Sequence, residues 1–514
     1  MLRGVVGTFL DSLTERELDG PLLALLAARG FTDVHFLHGA FEFGKDVIAK
    51  RTDERGNVRQ YSIQSKAGDI GQGDWRSIRP QLEECEYNTR AHPNFDDSLP
   101  RVAVLVTTGR LKGAAPVDAQ EFRQACERRG LAGFEVWDRS NLLDWLCLDP
   151  LLGLTEIGVQ DELSALLGAI ARQKVTEPSL ERHTRQWLIG DDDQRRLARA
   201  SMETSLICIQ LLAARRLDLA ALTALHLYRA AWSPPTAELV ESPVSGTALR
   251  LFASYATELL NQAAPLLSSA RDLADAIMDV GFIITYPATC CRLAEVFALL
   301  ALVGEPAVSA RAAAAVSVLA SDHPGTARPP SDQFAASLVP LIVVLAHHDR
   351  PTAVQFMRNV TTWLLDRHDP EKDGLGLGGL DEAEQTQFER LVAGATTLTG
   401  LELRRSSYLA AVVLDALWVV GAQDLYEALQ ANMSALRIIP SGSAADERHA
   451  RWKRGGSNVF LQPRIEYAGW SDRASEASVE PASTPLDAVV LGAVCRNRHY
   501  SDAMAAMIRM AGTA

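Results

Sequence analysis

At 514 residues the chain is too long for one compact core, so two or three domains are expected. Its 47% hydrophobic and 22% charged residues are those of a soluble globular protein, and apolar runs such as Leu338–Ala346 fall well short of a membrane span. A net charge of −13 excludes indiscriminate adhesion to nucleic acid, because phosphate repels an acidic surface and binding then depends on local cation clusters.

Two further features bear on class. The first residues lack the basic start, apolar stretch and small-residue cleavage site of a secretory signal, so a cytoplasmic location with no membrane partner is expected. Cys85, Cys126, Cys147, Cys208, Cys290, Cys291 and Cys495 show no paired metal-knuckle spacing, which points to buried free thiols rather than zinc.

In chain order, Asp46–Ala49 reads as a strand and Arg51–Asn57 as a turn, since Asp53, Gly56 and Asn57 supply turn conformations cheaply. The next strand runs through Tyr61 to Lys66. Alternation sends Tyr61 and Ile63 to one face, against a core, and Gln64 with Lys66 to the other, facing a cleft. An antiparallel hairpin then brings Asp46 beside Gln64 and Lys66. Downstream, Trp75–Tyr87 reads as a helix, Arg101–Gly109 as a buried strand, Val117–Gly130 as a helix and Phe134–Asp138 as a last strand leading into Asn141–Leu146. Such alternation implies an α/β core with helices on a central sheet.

Asp46, Gln64 and Lys66 together suit phosphodiester hydrolysis. A divalent cation polarises the phosphoryl oxygen and lowers the pKa of a bound water. Magnesium, for which manganese can substitute, needs few protein ligands, so Asp46 with a carbonyl at Gln64 or Ser65 suffices. The Lys66 ammonium can orient the attacking water and neutralise charge developing on phosphate.

This set resembles the PD-(D/E)XK nuclease superfamily, most closely its Mrr-like restriction endonuclease branch. There, a helix bearing an acid and ending in Gly-aromatic precedes a strand, an acidic-Gly-Gly-x-Asp segment and Gln-x-Lys. Leu18–Phe31 matches the helix, Glu42–Asp46 the acidic segment and Gln64-Ser65-Lys66 the Gln-x-Lys. The resemblance implies Asp19 as the helix acid and Glu42 as a secondary catalytic residue; Phe43 departs from the second glycine, and Asp19 is shorter than the usual glutamate. It covers roughly the first 150 residues and implies a restriction-endonuclease-like α/β domain over 1–150 that cuts DNA with magnesium. Lys45, Lys66, Arg76 and Arg79 are the cations expected to make its cleft basic. Cutting both strands commonly needs two centres, so a dimer or higher assembly is expected.

After Pro150 apolar residues recur at three and four positions, as in Asp161–Gln173 and Ser205–Tyr228, and prolines including Pro243, Pro287, Pro340 and Pro351 are expected to begin or end helices. The reading is a connecting segment over 151–180 and an all-helical sensor or docking domain over 181–440. Stacked antiparallel pairs in the manner of a solenoid are open to it, although no repeat period is visible. A basic loop and terminal helix follow over 441–514, where Arg451, Lys453 and Arg454 around Trp452 can hold phosphates while the indole stacks on a base. Asp373–Asp381, DGLGLGGLD, has glycine spacing near that of a nucleotide loop but no preceding strand and no following Lys-Ser, so a flexible linker is the reading. His347, His348 and Asp349 could meet His368 and Asp369 at one end of a helical pair, but such residues are also ordinary at helix termini.

The function expected from all this is a prokaryotic restriction or anti-phage defence effector. Its helical region would restrain cutting until an activating protein, foreign nucleic acid or small messenger binds. A repair or junction-processing nuclease and a catalytically inactive nucleic-acid-binding scaffold are the alternatives.

Overall fold

The computed structural model describes residues 2–37, 45–53, 55–87, 93–150, 153, 161–188, 193–232, 243–277, 282–335, 337–379, 381–392, 400–441 and 469–471. They form two compact units, Met1–Ala214 and Arg215–Ala514.

The first unit opens with helices α1 (Leu2–Ser12) and α2 (Glu15–Ala28), followed by strands β1 (Phe31–Phe36), β2 (Val47–Thr52) and β3 (Val58–Lys66). Then come α3 (Gln72–Tyr87), β4 (Arg101–Thr107), α4 (Ala115–Arg129), β5 (Ala132–Trp137) and α5 (Arg139–Leu148). Three more helices, α6 (Asp161–Ala171), α7 (Glu177–Thr184) and α8 (Asp193–Ala213), belong to the same unit, α8 packing on α1. The sheet order is β1-β2-β3-β4-β5, antiparallel through β3 and parallel from β3 to β5. The hairpin expected around Asp53–Asn57 is present: Asp53 accepts from the Arg55 and Asn57 amides at 2.9 Å, and Gly56 takes φ +83°.

Helices α3 and α4 cover one sheet face, where Trp75, Ile78, Leu82, Phe122 and Cys126 meet Ala103, Leu105 and Phe134. The opposite face carries an edge-packed aromatic group of Phe31, Tyr61 and Trp137, with α2 and α5 beside it. Each fully buried side chain of this size contributes about 1.5–3 kcal/mol. This two-sided cover corrects one expectation. Gln64, read as facing a cleft, is buried, as are Gln60 and Ser62 on the same face, because the register pairs Ser62 with Ala103 and Gln64 with Leu105 on the face that α3 and α4 sheathe. Lys66, at the strand's end, is partly exposed.

The second unit, as described, is almost wholly helical: α9 (Leu217–Trp232), α10 (Pro243–Ala263), α11 (Ala270–Ile277), α12 (Phe282–Val303), α13 (Pro306–Asp322), α14 (Leu338–His348), α15 (Arg350–His368), α16 (Glu384–Val392), α17 (Tyr408–Val420) and α18 (Gln423–Leu436). Consecutive helices pack in pairs, α9 on α10, α12 on α13, α14 on α15 and α17 on α18. By length and composition α12 is apolar enough to cross a membrane, but 67% of its apolar window is buried, and α10, α13 and α14 pack against it. Cys290 and Cys291 fill that core as expected. Pro287 lies inside α12 rather than at its boundary.

The glycine-rich segment is not a flexible linker. Gly374, Gly376, Gly378 and Gly379 are buried, and a Cβ on Gly376 would overlap the Arg404 carbonyl, one on Gly378 the Gln387 side chain. Arg390 reaches across to the Glu382 carboxylate and to the Leu375 and Glu402 carbonyls, and Arg404 to Asp381. Gly378 also bridges to Ser331, beside Asp332, whose carboxylate accepts from Ser407 Oγ and from the Tyr408 and Leu409 amides at the start of α17. Glycine is there because the backbone is crowded and, at Gly376, because it also takes φ +78°.

The histidines do not meet. His347 and His348 end α14, whereas His368 ends α15, roughly 28 Å away along its 19 residues. Asp349 caps α15 by accepting from the Thr352 amide, and His368 is buried against the Leu364 carbonyl.

Candidate active site

The centre forms where β3 ends. Val47 pairs with Ile63, and the Asp46 amide donates to the Ile63 carbonyl at 2.8 Å, which sets Asp46 beside Gln64 and Ser65. One carboxylate oxygen, Oδ2, accepts from Gln64 Nε2 at 2.8 Å, from the Ser65 amide at 2.7 Å and from Ser65 Oγ at 2.9 Å. Because a carboxylate can only accept, the Gln64 amide must present its NH2 to Asp46, which leaves its carbonyl Oε1 to other partners. Neither Asp46 Oδ1 nor Gln64 Oε1 has a hydrogen-bond partner among the described residues.

Lys66 Nζ donates to the Glu15 carboxylate at 2.7 Å. Glu15 is held there by the start of α2. The Thr14 amide donates to Glu17 at 3.0 Å in a capping box, and Arg195 on α8 donates to the same Glu17 side chain at 2.9 Å. Burial holds the Asp46 carboxyl above the ordinary carboxylate range, against the opposing pull of the Ser65 donors and the Lys66 ammonium; the Glu15 charge adds to the upward push. The end of β3 is itself clamped. Thr107 Oγ1 donates to the Gly68 carbonyl at 2.6 Å, the Gly68 amide donates to Thr108 Oγ1 at 2.8 Å, and a Cβ on Gly109 would overlap the Gly68 backbone.

The hairpin therefore unites Asp46, Gln64 and Lys66 as the sequence implied. Asp19 stands one turn beyond Glu15 on α2, but the acid bonded to Lys66 is Glu15, which the sequence reading missed. The signal was available: Thr14-Glu15-Arg16-Glu17 is a capping-box pattern, and it starts the helix before Leu18. Lys45 corrects a second expectation. It is fully buried, with Nζ 5.8 Å from the Phe95 ring centroid, and burial pushes its ammonium pKa down, so it does not face a nucleic-acid surface. Arg79 is exposed and paired with Glu83 one turn along α3 at 3.1 Å, and Arg76 is exposed in the first turn. Glu42, Arg451, Lys453 and Arg454 lie outside the described residues.

Among the described residues no three His, Cys, Asp or Glu side chains form a metal cage. The donor set at the β3 end is instead two carboxylates, Asp46 and Glu15, and the amide carbonyl of Gln64. That suits a hard cation which keeps most of its waters. Comparison with protein-family models, curated proteins and solved structures gives no match to this chain.

Proposed function

We propose that the first unit is a metal-dependent DNA endonuclease of the PD-(D/E)XK type, with a restriction-endonuclease-like fold of the Mrr-like branch. The observation that carries this reading is the lopsided hydrogen bonding of Asp46, with three donors on Oδ2 and, among the described residues, none on Oδ1, beside a lysine paired to Glu15. A carboxylate oxygen of a half-buried aspartate left without a partner among the described residues, next to an amide carbonyl in the same state, is a place for a cation. Asp46 Oδ1, Gln64 Oε1 and Glu15 would hold magnesium or manganese, which would polarise the scissile phosphate and acidify a bound water.

The chain's own groups do the remaining work. Gln64 Nε2 and the Ser65 donors lock the Asp46 carboxylate in one orientation, so little reorganisation is needed at the moment of reaction. Lys66, paired with Glu15, can meet the negative charge that builds on phosphate as the water oxygen bonds to phosphorus and the ester bond to the leaving oxygen breaks. The order of elements around the centre supports the same reading: a helix, a strand, the strand that Asp46 precedes, the Gln-x-Lys strand, a helix and a parallel strand.

In this proposal the helical unit restrains cutting until a trigger arrives, as suits a prokaryotic antiviral restriction effector. The test incubates the purified chain and its Lys66→Ala variant with supercoiled, linear and single-stranded DNA, adding magnesium, manganese or chelator. Metal-dependent cutting lost in the variant is the expected result. A folded wild type that cuts nothing, even in extract from infected cells, would sink the catalytic reading.

A further inference from the structure

Strands β3, β4 and β5 run parallel, so their carboxyl ends share one edge of the sheet, where open α/β sheets bind ligands. Lys66 is the last residue of β3 and pairs with Thr107, the last of β4. The segments that follow these two strands are zipped together. The Ile70 amide donates to the Arg110 carbonyl and the Lys112 amide to the Ile70 carbonyl, both at 2.9 Å. They form a fixed rim beside the candidate centre.

Two arginines stand on that rim. Arg110 lies three residues past Thr107, and Arg76 sits in the first turn of α3, which begins two residues after Ile70. Both are exposed, and neither guanidinium has a hydrogen bond or ion pair among the described residues. Arg129, Arg139 and Arg195 of this unit are neutralised by Glu86, Asp11 and Glu17, whereas Arg55 and Arg59, exposed and also without an ion pair among the described residues, lie at the other end of β3; what sets Arg110 and Arg76 apart is their place on the rim beside Lys66. The rim's own acids are turned to internal use. Asp69 accepts from the Arg110 amide at 2.9 Å and pairs with Lys112 at 2.5 Å, and Asp74 accepts from the Gly71 amide at 2.9 Å. Two exposed guanidinium groups without ion pairs on a rigid edge beside the candidate centre suit a ligand that offers repeated anionic oxygens, such as a phosphodiester backbone.

We propose that Arg110 and Arg76 hold the DNA backbone against the end of β3. This rests on the reading of the adjoining centre as one that acts on DNA. Phosphate contacts of this kind position the strand without reading its sequence.

The experiment measures anisotropy of a short labelled DNA duplex with the full-length chain in chelator, over a range of salt. Arg110→Ala and Arg76→Ala are each expected to weaken binding by about 3- to 10-fold and to lower the slope of log affinity against log salt by about one. Arg110→Lys, which keeps the charge, is expected to recover part of the loss. Arg55→Ala, in the hairpin turn at the other end of β3, should bind as wild type does. Unchanged affinity and slope in both rim variants overturn the proposal, as does an equal loss in Arg55→Ala or a wild type that binds no duplex. Cutting assays on the same samples separate the two claims. Rim-dependent binding without metal-dependent cutting removes the catalytic reading and keeps the surface, whereas cutting at undiminished KM in the rim variants does the reverse.

Discussion

Two aspartates, the half-buried Asp46 of the first unit and the buried Asp332 of the second, are bonded to backbone amides yet differ in a way that separates chemistry from architecture. Asp332 spends both oxygens on the protein: Oδ1 takes the Ser407 hydroxyl and the Leu409 amide, and Oδ2 takes the Tyr408 amide. Asp46 concentrates three donors on Oδ2 and, among the described residues, has none on Oδ1. Burial raises both carboxyls above the ordinary range. A carboxylate whose oxygens are all satisfied ties elements together, whereas a half-satisfied one at a sheet edge is prepared for something from outside.

The sharpest way to break this contrast is to neutralise each carboxylate. Asp46→Asn keeps an acceptor for the Ser65 donors and removes the charge, so cutting is expected to fall by about 100- to 1000-fold while the unfolding free energy moves by less than about 1 kcal/mol. Denaturant titration beside a plasmid assay measures both. A large loss of stability with activity retained would make Asp46 as architectural as Asp332.

The glycine clasp next to Asp332 predicts the largest effect on stability. Gly376 sits at φ +78°, and its Cβ position is occupied by the Arg404 carbonyl, so Gly376→Ala must displace backbone. A cost of about 3 kcal/mol or more is expected for the helical unit, read as a lower denaturation midpoint. A midpoint unchanged within error would restore the flexible-linker reading.

A smaller effect distinguishes the two carboxyls by pH. Burial pushes Asp332 up to about 6 from an unfolded value near 3.8. The folded state therefore holds the proton more tightly, and this group's contribution to stability rises as pH falls from about 6 towards 4 and is lost as pH climbs back. Asp332→Asn should remove that slope. For Asp46 the raised carboxyl means that a cation competes with a proton, so manganese affinity measured by calorimetry should weaken as pH is lowered, and Asp46→Asn should abolish the dependence.

How much of this was legible in the sequence differs between the two regions for the same physical reason. Alternation and turn chemistry at Asp53–Asn57 are local, so the hairpin and the meeting of Asp46 with Gln64 followed from neighbours in the chain. Burial of Lys45 and of Gln60, Ser62 and Gln64 was not legible, because it depends on α3, whose packing on the sheet is a long-range event. The clasp was misread for a similar reason. A run of glycines looks flexible until the distant Arg390, Arg404 and Gln387 crowd it, and nothing within Asp373–Asp381 announces them.

The finest distinction concerns the helix acid. Position along α2 alone does not choose between Glu15 and Asp19, since residues four apart share a face. The bond at 2.7 Å to Lys66 favours Glu15, and so does the longer glutamate side chain reaching from the first turn, which the Thr14–Glu17 box fixes in place. Glu15→Gln is therefore expected to lower cutting by about tenfold, by loosening Lys66 and removing one negative charge facing a cation, whereas Asp19→Asn should change it by less than about twofold. Comparing kcat with KM sharpens the assignment. A positioning role for Glu15 acts mainly on kcat and shifts the metal concentration needed for half-maximal rate, while loss of phosphate contacts acts on KM. If Asp19→Asn proves the more damaging of the two, the Lys66–Glu15 bond belongs to a resting arrangement, and Asp19 takes over as the acid that works beside Asp46.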